Sequence, residues 1–300
     1  MKTTDIHIRD PFVLPVTHSG LYYLFGTTDE DCAGKGTGFD CYRSRNLTDW
    51  EGPIPAFRPP PGFWSDIQYW APEVHFFKGR YYMFATFKAT QRYRGTQILV
   101  ADLPEGPYQP WSDQPVTPQD WECLDGTLHI DQEGFPWIVF CHEWVQIHNG
   151  AMYALRLSED LKQAVGRPVF LFNASEAPWG RASTWSDPAT PRLFPVYVTD
   201  GPFLYRTANG SLLMLWSSDG PKGYAMGIAR SSTGRVEGPW VHDPEALWLE
   251  DGGHGMIFRS FEGRLFMTLH QPNTPSKERP VFCELSEENN SLFLRPDLPA

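Results

Sequence analysis

Five copies of one hairpin pattern constrain this chain more than any other feature. Each copy is a short apolar segment, a turn with glycine, and a second segment of aromatic and aliphatic residues. The copies span residues 10–14 and 20–25, 71–77 and 79–84, 125–130 and 134–140, 200–205 and 210–216, and 254–258 and 263–269. Their turn glycines, Gly20, Gly79, Gly134, Gly210 and Gly263, lie 59, 55, 76 and 53 residues apart. Three intervals are near 55, and the longer one carries an inserted loop. A second element follows the hairpins. Asn46-Leu47-Thr48-Asp49-Trp50-Glu51-Gly52-Pro53 resembles Asp102-Leu103-Pro104-Glu105-Gly106-Pro107 and Gly234-Arg235-Val236-Glu237-Gly238-Pro239-Trp240, with a weaker copy at Ser158-Glu159-Asp160-Leu161. Further strand-like runs, such as Gln97-Ile98-Leu99-Val100-Ala101, bring each unit to about four strands. Five units of four antiparallel strands predict an all-β, five-bladed β-propeller occupying residues 1–300 as one domain. A β-sandwich also uses many short strands, but it does not call for five copies of one pattern.

Composition agrees. Proline and glycine supply 28 and 26 residues spread over the whole chain, which breaks long helices and suits strands joined by turns. Hydrophobic residues make up 41% and aromatics 15%, with 12 tryptophans. That is ample for a core of aromatic wedges between blades. The formal charge is −11, and no basic run interrupts it; nucleic acid and anionic membranes need a positive footprint, so neither is an expected partner. The five cysteines, Cys32, Cys41, Cys123, Cys141 and Cys283, include no CxxC pair. They read as isolated thiols, although Cys32 and Cys41 would be the pair to form in an oxidising compartment. No apolar signal core opens the chain, so the expected location is cytoplasmic, or secreted or periplasmic if a leader has been trimmed. The pattern does not set an oligomeric state.

In a propeller the first strand of each blade lines the central axis. Residues at the starts of those strands therefore converge from different blades. Down the five repeats these positions read Asp10, the Pro72-Glu73 region, Asp125, Asp200 and His254. Carboxylates brought together repel one another, so some must have raised pKa values. One ionised and one protonated carboxyl is the pair that glycosidic cleavage needs. Any one of these aspartates alone would be read as a turn or strand-start residue.

These residues carry a family resemblance. The chain resembles glycoside hydrolase family 43, five-bladed propellers acting on arabinose- and xylose-containing polysaccharides, over nearly its whole length. Arg9-Asp10-Pro11-Phe12-Val13 is similar to the family segment whose Asp is the general base. Trp70-Ala71-Pro72-Glu73-Val74 is similar to its Trp-Ala-Pro segment. The stretch opening Asp125-Gly126-Thr127-Leu128-His129-Ile130 resembles the segment whose Asp tunes the acid's pKa. Gly253-His254-Gly255 resembles a segment whose His lies near a bound calcium or water. The resemblance thus implies an inverting mechanism, no required cofactor, and a structural calcium near His254. One segment departs. The family's acid is a Glu before Gly-Pro or Ala-Pro in the fourth blade, and Thr199-Asp200-Gly201-Pro202 has Asp there. Upstream, Ser175-Glu176-Ala177-Pro178-Trp179 has the right residue type outside a strand. Asp200 fits the repeat and Glu176 fits the side-chain length; Glu143 is a third option.

Sugars present apolar faces that stack on aromatic rings. Trp64, Tyr69, Trp70, Trp144, Trp179 and Trp185 lie near the candidate acids. Trp70, Glu143, Trp144 and Trp179 are the expected substrate-binding residues. The run Gly34-Lys35-Gly36-Thr37-Gly38 lacks the spacing and strand-to-helix setting of a phosphate loop. The leading expectation is an exo-acting glycosidase, an α-L-arabinofuranosidase or β-xylosidase. The alternatives are an endo-arabinanase or other specificity on the same fold, a carbohydrate-binding propeller without catalysis, and a protein-interaction propeller.

Overall fold

The structure, a computed structural model, describes residues 1–183 and 195–295. They form five antiparallel sheets of four strands, each in simple sequential order. Blade 1 holds β1 (Arg9–Val16), β2 (Leu21–Thr27), β3 (Phe39–Ser44) and β4 (Trp50–Phe57). Blade 2 holds β5 (Ile67–Phe77), β6 (Arg80–Ala89), β7 (Arg92–Ala101) and the short β8 (Gln109–Pro110). Blade 3 holds β9 (Cys123–Ile130), β10 (Pro136–His142), β11 (Ala151–Leu157) and β12 (Ala164–Asn173), with a one-turn helix α1 (Trp144–Ile147) after β10. Blade 4 holds β13 (Asp200–Arg206), β14 (Leu212–Gly220), β15 (Gly223–Ser231) and β16 (Trp240–His242). Blade 5 holds β17 (Gly253–Arg259), β18 (Leu265–Gln271), β19 (Arg279–Glu288) and β20 (Ser291–Leu294). The expected five-bladed propeller is therefore the fold.

The repeated glycines have a common cause. Gly79, Gly134, Gly210 and Gly263 all turn their hairpins at φ between +83° and +89°. A Cβ at any of these four would meet nothing within 4 Å. The backbone angle therefore selects glycine here, because L side chains disfavour it whatever the space.

Aromatics fill the wedges between blades, as their abundance predicts. Phe39 and Phe57 of blade 1 pack with Phe63, Tyr69 and Phe87 at the junction with blade 2. Phe172 of blade 3, Trp179 and Trp216 of blade 4 fill another wedge. Blade 5 closes on blade 1 without a covalent link: Trp50 packs on Phe282 and Tyr22 on Phe258 and Phe261. The segment before β1 reinforces the closure. Ile8 N–H donates to the Glu278 carbonyl, and Arg279 Nε donates to the Thr4 carbonyl. All five cysteines are free thiols, Cys41 buried and Cys32 half-buried.

Candidate active site

Every innermost strand carries the same irregularity near its start. In each, three residue steps face two on the neighbouring strand: Arg9 to Phe12, Trp70 to Glu73, Leu124 to Thr127, Asp200 to Phe203 and Gly253 to Met256. The second residue of each bulge adopts a left-handed backbone. These are Asp10 (φ 53°), Ala71 (45°), Asp125 (56°), Gly201 (53°) and His254 (51°). A bulge of this kind re-aims side chains toward the axis, and such strained positions cluster at functional sites.

This geometry corrects the sequence alignment of the repeats by one residue. Asp10, Asp125 and His254 are equivalent, but Gly201 is their counterpart in blade 4. Asp200 precedes it and is equivalent to Arg9, Trp70, Leu124 and Gly253. In blade 2 the counterpart is Ala71, while Glu73 lies further along the strand, where it accepts from Thr127 Oγ1 and pairs with His75. The reason for glycine at 201 is steric. A Cβ there would lie 2.7 Å from the His254 ring.

The bulges bring Asp10, Asp125, Asp200 and His254 together at the floor of a cavity of about 330 Å³. His254 Nδ1 lies 3.1 Å from Asp10 Oδ1 and 3.6 Å from Asp125 Oδ2. Burial opposes charge on His254, but Asp10, Asp125 and Asp200 outweigh it and push its pKa up to about 10. The ring is an imidazolium at neutral pH. Burial would likewise raise the Asp10 carboxyl, yet His254, the bond to it, and Arg9 hold it far below the usual carboxylate range. Thr27 Oγ1 donates to Asp10 Oδ2 at 2.7 Å and keeps the carboxylate aimed. The Asp10 N–H donates to His270 Nδ1 at 3.1 Å, so that nitrogen carries no proton, and His270 Nε2 donates to Asn273 Oδ1. Burial and the Arg9 charge keep His270 neutral, its pKa down at about 3.

Asp125 and Asp200 go the other way. Burial, opposed by His254 and reinforced by Asp200 and Asp10, raises Asp125 to about 7. Burial also raises Asp200, to about 6, against the pull of His254 and a 2.9 Å hydrogen bond from Tyr224 Oη. Asp125 and Asp200 are thus the two carboxyls of the cluster that are pushed toward the protonated form. Burial is thus the main cause for Asp200; repulsion by Asp125, the cause expected from sequence, is not the leading one.

Of the expected substrate-binding residues, Trp70, Glu143 and Trp144 line the cavity. The Arg94 guanidinium stacks on Trp70, 4.2 Å from the ring centroid, and Trp70 Nε1 donates to the Cys32 carbonyl. Glu143 pairs with Arg94, which suits it to a wall and not to proton donation. Trp179 does not reach the cavity. It is 4% exposed and packs on Trp216 in the wedge core. Glu176 also lies outside the cavity lining. It is exposed and caps a 3-10 turn, accepting from Asn173 N and Nδ2 through Oε1. Trp64 and Tyr69 belong to the blade 1–2 wedge, and Trp185 is outside the described residues.

Calcium takes six to eight oxygen ligands; the side-chain oxygens within 4 Å of His254 Nδ1 are those of Asp10 and Asp125. Among the described residues no group of three or more His, Cys, Asp or Glu side chains is arranged for a metal. Sequence reasoning passed over Arg9, Arg94, Tyr224, His270 and Asn273. Only Arg9, adjacent to Asp10 in the repeat, had a local signal.

A carboxylate held ionised beside two carboxyls with raised titration, at the starts of the innermost strands of a five-bladed propeller, fits the glycoside hydrolase class of site. The sequence profile of Glycosyl hydrolases family 43 matches residues 4–288, and the chain belongs to that family. The endo-arabinase of Bacteroides thetaiotaomicron VPI-5482 superposes with a TM-score of 0.88 at 40% identity, covering 96% of this chain and 98% of that one. The extracellular exo-α-(1→5)-L-arabinofuranosidase ArbA of Cellvibrio japonicus is 26% identical over 178 residues. That match spans 53% of this chain and 46% of ArbA, so the chain covers under half of that relative. An endo-1,4-β-xylanase of Bacteroides thetaiotaomicron shares the fold, with a TM-score of 0.76 at 22% identity over 99% of this chain and 96% of that one.

Proposed function

We propose that the chain is an exo-acting α-L-arabinofuranosidase that removes terminal arabinofuranosyl units from arabinan with inversion at the anomeric carbon. The observation that carries this reading is the split state of the three aspartates around His254. Asp10 is held ionised and serves as the base that takes a proton from the attacking water. Asp200 shares a raised titration with Asp125 and serves as the acid that protonates the departing oxygen. Asp125 keeps that proton on the pair through the working pH range and orients the sugar. Inversion needs room for a water between base and acid, about 6.5–9.5 Å of carboxyl separation.

Arabinose as the sugar rests on the names of two relatives, the endo-arabinase and ArbA. Exo action rests on the cavity: about 330 Å³ is at the small end of ligand pockets, which run from about 300 to 1,000 Å³. The endo-arabinase, similar over almost its full length, supports a second reading in which internal linkages are cut.

The test is digestion of linear α-(1→5)-arabinan, arabinoxylan and the 4-nitrophenyl glycosides of α-L-arabinofuranose and β-D-xylose. Free arabinose as the first product, released with inverted anomeric configuration by proton NMR, supports the proposal. Early oligosaccharides would favour the endo reading, and xylose alone would overturn the choice of sugar. Sugar binding without any release would make the propeller a binding module.

A further inference from the structure

The five bulges are also joined to one another. The left-handed residue of each blade donates its N–H across the blade junction. Ala71 N–H reaches Thr27 Oγ1 at 2.9 Å, Asp125 N–H reaches Thr86 Oγ1 at 2.8 Å, and His254 N–H reaches Ser217 Oγ at 2.8 Å. The ring closes with Asp10 N–H on His270 Nδ1 at 3.1 Å. The four acceptors are equivalent, each lying opposite the first bulge residue of its own blade: Thr27 opposite Arg9, Thr86 opposite Trp70, Ser217 opposite Asp200 and His270 opposite Gly253. All four are fully buried.

One junction breaks the pattern. In blade 3 the equivalent residue, opposite Leu124, is Cys141. A thiol is a weak acceptor. Its sulfur faces Met152 Sδ at 3.5 Å, and burial, with Asp125 and Asp200 nearby, holds it in the protonated form. The Gly201 N–H donates instead to Asp125 Oδ2 at 3.0 Å.

We propose that Asp125 is the acceptor that latches blade 3 to blade 4, and that it holds this second post because position 141 is a cysteine. The thiol thereby acts as a positioning residue. By declining the Gly201 N–H, it leaves one Asp125 oxygen committed to the next blade, which sets how the carboxylate faces Asp10, Asp200 and His254. Arg94 and Tyr224 are the other charged or titratable groups whose fields reach Asp125.

Two measurements test this on the full chain, and neither uses substrate, so failure of the arabinan assay leaves the inference standing. In selectively 15N-glycine-labelled protein, the Gly201 amide resonance should move with pH as its acceptor Asp125 ionises. Cys141→Ser supplies the hydroxyl used at the other junctions and should remove most of that movement, while Cys141→Ala should keep it. A Gly201 resonance that ignores pH in the parent protein, or moves equally in both variants, would overturn the latch. The second measurement is a thermal double-mutant cycle. Asp125→Ala strands the buried Gly201 N–H, and adding Cys141→Ser should restore an acceptor and raise Tm by about 2–4 °C. The same Ser in the parent background should raise nothing. A Tm that falls equally on adding Ser to both backgrounds would show Cys141 to be mere packing. Cys141→Thr provides the same hydroxyl if the Ser variant does not fold.

Discussion

At the scale of single residues, the site works by making three aspartates unequal. Asp10 and Asp125 share a strand position and a left-handed backbone, yet one is held ionised and the other is raised. The difference is in their neighbours: Asp10 has the nearer contact with His254 and the hydroxyl of Thr27, whereas Asp125 accepts a backbone N–H and faces Asp200. Asp10→Asn removes the proposed base and is expected to lower kcat by about 10³-fold or more, with far-UV circular dichroism unchanged; near-parental turnover would remove Asp10 from this role. The pH profile follows from the same groups. The acid must be protonated, so kcat/KM should fall as pH rises through about 6 to 7, where the Asp125–Asp200 pair loses its proton. Asp10 contributes no acid limb in the ordinary carboxylate range. Stability runs with the same sign. Carboxyls whose folded pKa is raised bind more protons folded than unfolded, so their contribution declines from about pH 4 to pH 7. Asp200→Asn removes that buried charge and should raise Tm at pH 8 by a few degrees while abolishing turnover.

At the scale of elements, one bulge repeated five times aims the cluster. Sequence reading found the blades and the convergence of Asp10, Asp125 and His254, because these sit at one phase of a recognisable repeat. It misplaced Asp200 by one position, since a bulge inserts a residue that leaves no mark in composition or alternation. It also missed Arg94 on β7, which reaches the site from the third strand of blade 2. Arg94 stacks on Trp70, pairs with Glu143 and donates through Nη2 to Gln68 Oε1 at 2.7 Å. Nothing in local sequence links residues 68, 70, 94 and 143. If Trp70 and Glu143 form a subsite wall, Arg94→Met should raise KM by about 5- to 30-fold through loss of the stacked guanidinium, with a smaller change in kcat. The double variant Arg94→Met/Glu143→Gln should recover stability lost to the stranded carboxylate without recovering KM. Equal KM in parent and Arg94→Met would leave the guanidinium a purely structural role.

At the scale of the whole molecule, the propeller must close blade 5 on blade 1 without a disulfide. Packing of Trp50 on Phe282 supplies part of this, and a buried charge cluster supplies another part: Arg9 Nη1 pairs with the fully buried Glu278 at 2.7 Å, and His7 pairs with the same carboxylate. Glu278→Ala leaves Arg9 largely buried and unpaired, and should cost about 3 kcal/mol in urea unfolding; an unchanged midpoint would show that aromatic packing alone closes the ring. Because Arg9 adjoins Asp10, the variant should also weaken turnover. The amino-acid sequence by itself determined the number of blades, their strands and the common strand position of Asp10, Asp125 and His254, because period, turn glycines and local motifs are properties of neighbouring residues. Tertiary structure alone decided that Asp200 and not Glu176 lines the cavity, that Trp179 is core, and that Cys141 hands the Gly201 N–H to Asp125. Those outcomes depend on which side chains meet across blade junctions, and burial and electrostatics act through distance in space, not along the chain.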